Sequence, residues 1–478
     1  MSFGKRFLAA LLVGAMTLGT WYGSQLEIKS QNKEAQKEQH LSKYNRDTTI
    51  YFWYSDEKLT DLINKACVDF GERENVHVLP VLVEQKAYLE TINQASLAEE
   101  QMPDVYMVSH VDLEKAYLSG LATTVEDSAQ ILDDQHFGLG ALAAVTYKDK
   151  YVAYPFTFDT TAMVFNETYL RDWANQRAMR EIATRDEEET TAITKSTSSS
   201  EEEKEAAGLL DDAEVALLAD GFFAEALPIT IEDVLDIADT YDAPAEVEAV
   251  LSWDVSDVFY NYWFVGDSID VGGRAGDRRS QVDIDNPSAV AAMKAYQDLR
   301  QFFSIESDKV SYEAVVNDFL QGKTVFTIAT TDIVKRLEEA KENGEFAFDY
   351  GFVRLPRVSE EINGLPMSMT SCVAINGYSV EKALAEKFAV YLCDEIAGSV
   401  YERTGKASAN RRASMDEAAG GLSIFAEEYE DSIPLPKLME MENFWLELEI
   451  TFSKVWNGAD PEKSLKELDE TMRIQLGY

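Results

Sequence analysis

Residues 147–170, YKDKYVAYPFTFDTTAMVFNETYL, constrain the fold more than any other stretch of the chain. Two runs rich in β-branched and aromatic residues read as strands and flank residues 155–161 with almost no turn signal between them. Pro155 has no N–H to give a sheet ladder, so the middle cannot be an ordinary central strand. A chain that stays extended across such a break can leave one sheet and enter another. The stretch therefore predicts a hinge between two lobes, with Phe156, Phe158 and Asp159 at the crossing.

A chain of 478 residues is long enough for two or more domains, each with its own core. The hydrophobic share of 46% is ordinary for a folded protein and argues against wholesale disorder. A formal net charge of −43 repels nucleic acid and anionic lipid, which excludes both as main partners. The N-terminus carries Lys5 and Arg6 ahead of an uncharged run, residues 7–22, the pattern of an export signal. Residues 1–46 are expected to form a signal or membrane anchor with a polar tether, leaving the rest extracytoplasmic, either tethered or secreted after cleavage. Cys67, Cys372 and Cys393 are scattered and odd in number, so buried free thiols are expected rather than disulfides or a metal cluster.

Strands and helices alternate along the rest. A strand over residues 48–54 leads to Ser55, a candidate N-cap, and to a helix with Leu59, Leu62, Ile63, Ala66 and Phe70 on one face and Gly71 at its end. Further strands are expected at 77–83, 104–109 and 324–329, and a helix opened by Asn286 and Pro287. This is a parallel-sheet rhythm. The acidic stretch around residues 175–226 breaks it and reads as an insertion in the second lobe, its first part mobile and residues 209–223 a surface helix.

Several segments, in collinear order, resemble the family of extracellular solute-binding proteins that includes maltose-binding protein. They are MPDVYMVSHVDLEKAYLS, the hinge YPFTFDTTAMVFNETYL, FLQGKTVFTIATTDI, YGFVRLPRV with PMSMTSCVAINGYS, and IPLPKLMEMENFW. The resemblance implies an α/β fold: a two-lobed clamp of the periplasmic-binding-protein kind. Each lobe would be a mostly parallel sheet flanked by helices, the lobes joined by hinge crossovers. Lobe 1 would comprise residues 47–157 and 372–415, and lobe 2 residues 158–371 and 416–478. It also implies a monomeric substrate-binding subunit that hands a solute to ABC transporter permease subunits, without chemistry and without a cofactor.

Ligands of open α/β sheets sit beyond the carboxyl ends of strands. Here those loops supply Ser55 and Asp56, His110 and Asp112, and Thr331 and Asp332, while the hinge adds Phe158 and Asp159. Carboxylates beside hydroxyls suit the O–H donors of a sugar, and aromatic rings suit its C–H face. The candidate platforms are Trp53, Tyr54, Trp253 with Asp254 beside it, and Trp445, which stands where the family places a cleft tryptophan. A mono- or oligosaccharide is the expected ligand. A polyamine, or a sugar-presenting role beside a membrane kinase, is the alternative. Paired carboxylates with aromatics also line glycosidase clefts, but H-E-x-x-H, G-x-S-x-G and P-loop motifs are absent, so no enzyme and no metal site is expected.

Overall fold

The computed structural model describes residues 48–98, 101–193, 201–303, 305–415 and 421–477. The expected signal or anchor therefore lies outside the described residues. Among the described residues no helix is long and apolar enough to cross a membrane.

In the first lobe, strands β1 (Thr49–Tyr54), β2 (His77–Leu82) and β3 (Val105–Ser109) alternate with helices α1 (Thr60–Glu74), α2 (Tyr88–Ala98) and α3 (Leu113–Leu118). β1 and β3 run parallel, with Phe52 opposite Val105 and Trp53 opposite Tyr106. Parallel neighbours need a crossover connection, which the intervening helices supply. Two local details differ from the sequence reading. Asp56, rather than Ser55, makes the cap, accepting the Lys58 N–H at 3.0 Å ahead of a short turn, Glu57–Leu59. Helix α1 also runs through Gly71 to Glu74. A glycine inside a helix costs only about 1 kcal/mol, whereas Asn75, at φ 54°, takes the left-handed conformation that ends it.

Helix α4 (Leu139–Val145) and the small hairpin of β4 (Thr146–Tyr147) and β5 (Lys150–Tyr151) lead into β6, Tyr154–Asn166, the longest strand. β6 changes partners part-way along. Up to Thr160 it pairs antiparallel with β12 (Met367–Ile375), and from Thr161 to Phe165 with β10 (Thr324–Thr330). Pro155 stands at a shift of register, because Thr157 pairs with Ser371 and Pro155 with Cys372. The unpaired Phe156 between them sends its carbonyl to the Ala409 N–H at 2.8 Å. A missing donor is thus absorbed as a bulge instead of an orphaned acceptor.

The second lobe follows as α5 (Glu167–Ile193), α6 (Glu201–Glu225) and α7 (Ile231–Thr240), then β7 (Ala249–Ser252) and the short α8 (Val258–Asn261). Of the acidic stretch, residues 175–193 belong to α5 and 201–225 to α6, while 194–200 lie outside the described residues. The two helices pack together, with Arg171 over the Phe223 ring and Arg177 over Phe222. A hairpin of β8 (Asp270–Val271) and β9 (Val282–Asp283) precedes α9 (Pro287–Leu299), where Asn286 accepts the Ala289 N–H and Pro287 fills the first turn. Next come α10 (Tyr312–Leu320), β10, α11 (Asp332–Glu342) and β11 (Tyr350–Val353). β10 is parallel to β7 and antiparallel to β6, and β11 pairs antiparallel with β6. Antiparallel pairing clusters at the crossing strands, since a chain that crosses and returns must run the opposite way.

After β12 come α12 (Lys382–Val390), β13 (Ala407–Ser408), α13 (Leu422–Asp431), β14 (Ile433–Pro434), α14 (Phe444–Trp456) and α15 (Pro461–Leu476). Each lobe has its own core. One gathers Trp53, Ile92, Tyr106, Leu113, Val145 and Cys372, and the other Leu251, Trp253, Tyr296, Phe326, Phe452 and Trp456. Edge-on aromatic pairs tie the second core, with Trp253 at 5.6 Å from Trp456 and Tyr296 at 5.0 Å from Phe452. The three cysteines are buried and free.

Candidate ligand-binding cleft

Two cavities open beside the crossing strands. One, of about 640 Å³, is walled by Asp159 of β6, Thr330 at the end of β10, Phe259 and Tyr260 of α8, and Phe444 and Trp445 at the start of α14. The other, of about 690 Å³, is walled by Ser55, Asp56, Gln85, Tyr88, Glu90 and Ser109 of the first lobe. Asp112, Lys115 and Met369 border both. Each volume falls in the range of small-molecule sites.

Asp159 sits opposite Met369 across the β6–β12 ladder. Its Oδ1 accepts the backbone N–H of Thr331 at 3.1 Å and the Thr331 hydroxyl at 2.8 Å. Burial pushes its carboxyl up to about 6, although both Thr331 bonds favour the ionised form. Burial also raises Asp112 and Asp257 in the same cavity, Asp112 against the pull of Lys115. Aromatic rings line the same cavity: Trp445 lies 6.4 Å from Phe259, and Tyr260 stacks on Tyr312 at 4.8 Å. In the first-lobe cavity Asp56 pairs with Lys406 at 2.7 Å. There the hydroxyls of Tyr88 and Ser109 are buried without a hydrogen-bond partner among the described residues. An unsatisfied buried hydroxyl is costly and normally meets water or a guest.

Of the residues singled out from sequence, Ser55, Asp56, Asp112, Asp159 and Trp445 line the cavities. Thr331 does not line them but orients Asp159. Asp332 accepts from the Tyr312 and Thr330 hydroxyls, both at 2.6 Å, and so braces the start of α11. Trp53 belongs to the first core, and the Tyr54 hydroxyl is turned to Thr60 at 3.2 Å. Phe158 lies flat on Tyr429 with centroids 4.1 Å apart. Trp253 is fully buried in the second core, its indole N–H on Asn261, and Asp254 is spent on the N–H and hydroxyl of Ser256. His110 is fully buried: Nδ1 accepts the Thr370 N–H and Nε2 donates to the Leu435 carbonyl. Burial, then the nearby Lys437, pushes its ring down to about 3, so it stays neutral. These five residues, Trp53, Phe158, Trp253, Asp254 and His110, are framework; none borders either cavity.

Within the segment IPLPKLMEMENFW, sequence reasoning singled out Trp445 but not Pro436, Lys437, Met439 and Met441, which border the same cavity. The available signal was a methionine-rich loop that follows Pro434 and Pro436 just ahead of that tryptophan. Among the described residues no group of three or more His, Cys, Asp or Glu is placed to hold a metal ion.

Residues 65–397 match the family described as bacterial extracellular solute-binding protein. That is more than half of the chain, which therefore belongs to this family of extracytoplasmic binding proteins. Among solved structures, a Staphylococcus aureus extracellular solute-binding protein in complex with maltose is similar, with TM-score 0.68 and 17% identity, over 90% of this chain and 98% of that one. A cyclo/maltodextrin-binding protein complexed with maltotetraose gives TM-score 0.69 at 15% identity, over 91% and 99%. At such identities the likeness establishes the two-lobed fold. The galactooligosaccharide-binding protein of Bacillus subtilis is 26% identical over 168 residues, which is 33% of this chain and 37% of that protein. The match thus spans little more than a third of that relative's length.

Proposed function

We propose that this chain captures a sugar between its lobes outside the cytoplasm and delivers it to the permease of an ABC importer. The observation that carries this reading is the pairing, in one cavity, of the Asp159 carboxylate on the crossing strand with the Trp445 ring. A carboxylate and an aromatic face bordering one cavity match the O–H rim and C–H face of a pyranose. The residues in contact would be Ser55, Asp56, Asp112, Asp159 and Trp445, with Tyr260 and Phe259 completing the wall. The proposed lobes divide where β6 and β12 cross, and the proposed tether is the N-terminal segment. Family membership and the sugars named for similar proteins support the same reading.

The test is a thermal-shift screen of the purified protein against maltose, maltotetraose and galactooligosaccharides, with polyamines alongside. A sugar at 100 times its dissociation constant should stabilise by about 2.7 kcal/mol. Turnover of a bound saccharide, or stabilisation by polyamines alone, would sink the proposal.

A further inference from the structure

The lobes are joined at a second place besides β6 and β12. The loop of residues 272–279 between β8 and β9 is rooted in the second core through Ile269, Val271 and Ile284. Its Asp277 accepts the Lys148 N–H at 2.5 Å, and Arg278 reaches Asp149 at 2.6 Å. Lys148 and Asp149 form the turn between β4 and β5, flanked by Tyr147 and Val152 of the first core. Arg274 donates to the carbonyls of Glu430 at 2.9 Å and Asp431 at 3.2 Å, at the end of α13, a helix that packs on α4 of the first lobe and on β6. Gly276 lies at φ 64°, and a Cβ there would come within 2.8 Å of the Pro436 Cα, so only glycine lets the loop come this close.

Lys437 sits at the centre of this junction. Its N–H donates to the Gly276 carbonyl at 2.7 Å. Its Nζ, fully buried, donates to the carbonyl of Ala143 in α4 at 3.0 Å and to that of Ala275 in the loop. One ammonium thus holds a carbonyl from each lobe, while the same side chain borders the Trp445 cavity. Among the described residues it makes no ion pair. The titratable groups around it are Asp277 of the loop, Cys372 of β12 and the neutral His110.

We propose that Lys437 is a positioning residue that clasps the two lobes over the occupied cavity, with the loop of residues 272–279 as its strap. This rests on the reading of that cavity as the place where a guest draws the lobes together. The chemistry gives the clasp a signature. Burial pushes the Lys437 ammonium down to about 8, Asp277 and Cys372 opposing. On opening, the side chain returns to water and to an ordinary lysine proton affinity near pH 10.4. Closing therefore releases a proton between those values. The neutral amine keeps two N–H donors for the two carbonyls without the cost of a buried charge, so closure strengthens as pH rises above about 8.

Two measurements test this in wild type and Lys437→Met. Calorimetry with maltotetraose should give roughly tenfold tighter binding at pH 9.5 than at pH 7 in wild type, and no such rise in the variant. Small-angle scattering of the ligand-free protein should show its radius of gyration shrinking over the same range only in wild type. Lys437→Arg, which cannot lose its proton there, should also lack the rise. The proposal is overturned if wild type is flat in both measurements, or if Lys437→Met keeps the dependence. Should maltotetraose fail to bind at all, scattering still decides the clasp, and the failure counts against the sugar reading alone.

Discussion

The two cavities differ in kind although they are alike in size and share Asp112, Lys115 and Met369. Around Trp445 the wall is aromatic and thioether, with Asp159 set into it. Around Ser55 it is carboxylate, amide and hydroxyl, with the Tyr88 and Ser109 hydroxyls left unpaired. A purely apolar guest would waste the second, and a purely charged one the first. A ring with a C–H face and a hydroxyl rim uses both, because dispersion acts over the face and directional bonds act at the edge. If both cavities hold the proposed sugar, the contrast gives affinity to one and orientation to the other.

The harshest way to break that division is Trp445→Ala. A half-buried tryptophan facing a guest is a typical energetic anchor. We expect calorimetry to show sugar binding weakened by about 2–3 kcal/mol, with little change in melting temperature. Unchanged affinity would move the site away from this wall. Asp159 comes next. It carries a carboxyl pushed up to about 6 in the free protein, and a sugar hydroxyl would donate to its ionised form. The bound carboxyl should therefore sit lower than the free one. Affinity then holds above pH 6 and falls below it, by up to roughly tenfold per pH unit. Asp159→Asn should flatten that profile; a profile equally steep in the variant would remove Asp159 from the contact.

Sequence made the crossing legible because its signal is local: a proline inside an extended run has few outcomes, and here it became the bulge at Phe156. Strand ends were legible too, which is how Asp56 and Asp112 were singled out, while Asp159 came from the crossing itself. Which way a side chain points at a strand end was not. Trp253 follows β7 and His110 follows β3, the same kind of position as Asp56 after β1, yet both are turned into packed surroundings. Side chains alternate across a strand with period two, and only the far partner decides which face is core. For Trp253 that partner is Trp456, some two hundred residues on. Lys437 was invisible for the same reason, since the carbonyl it holds on Ala143 is 294 residues away.

The smallest expected effect tests the polar cavity. Ser109→Ala and Tyr88→Phe each remove a buried hydroxyl that has no hydrogen-bond partner among the described residues, so stability should hold or rise slightly. If the guest's rim is what satisfies them, each loses about 0.5–1.5 kcal/mol of affinity on calorimetry. Tyr88→Phe combined with Trp445→Ala then asks whether the cavities act separately. The two residues line different cavities and share no partner, so their losses should add to within about 0.5 kcal/mol. A larger departure would mean that both side chains grip the same part of the guest. The polar cavity would then anchor as much as orient.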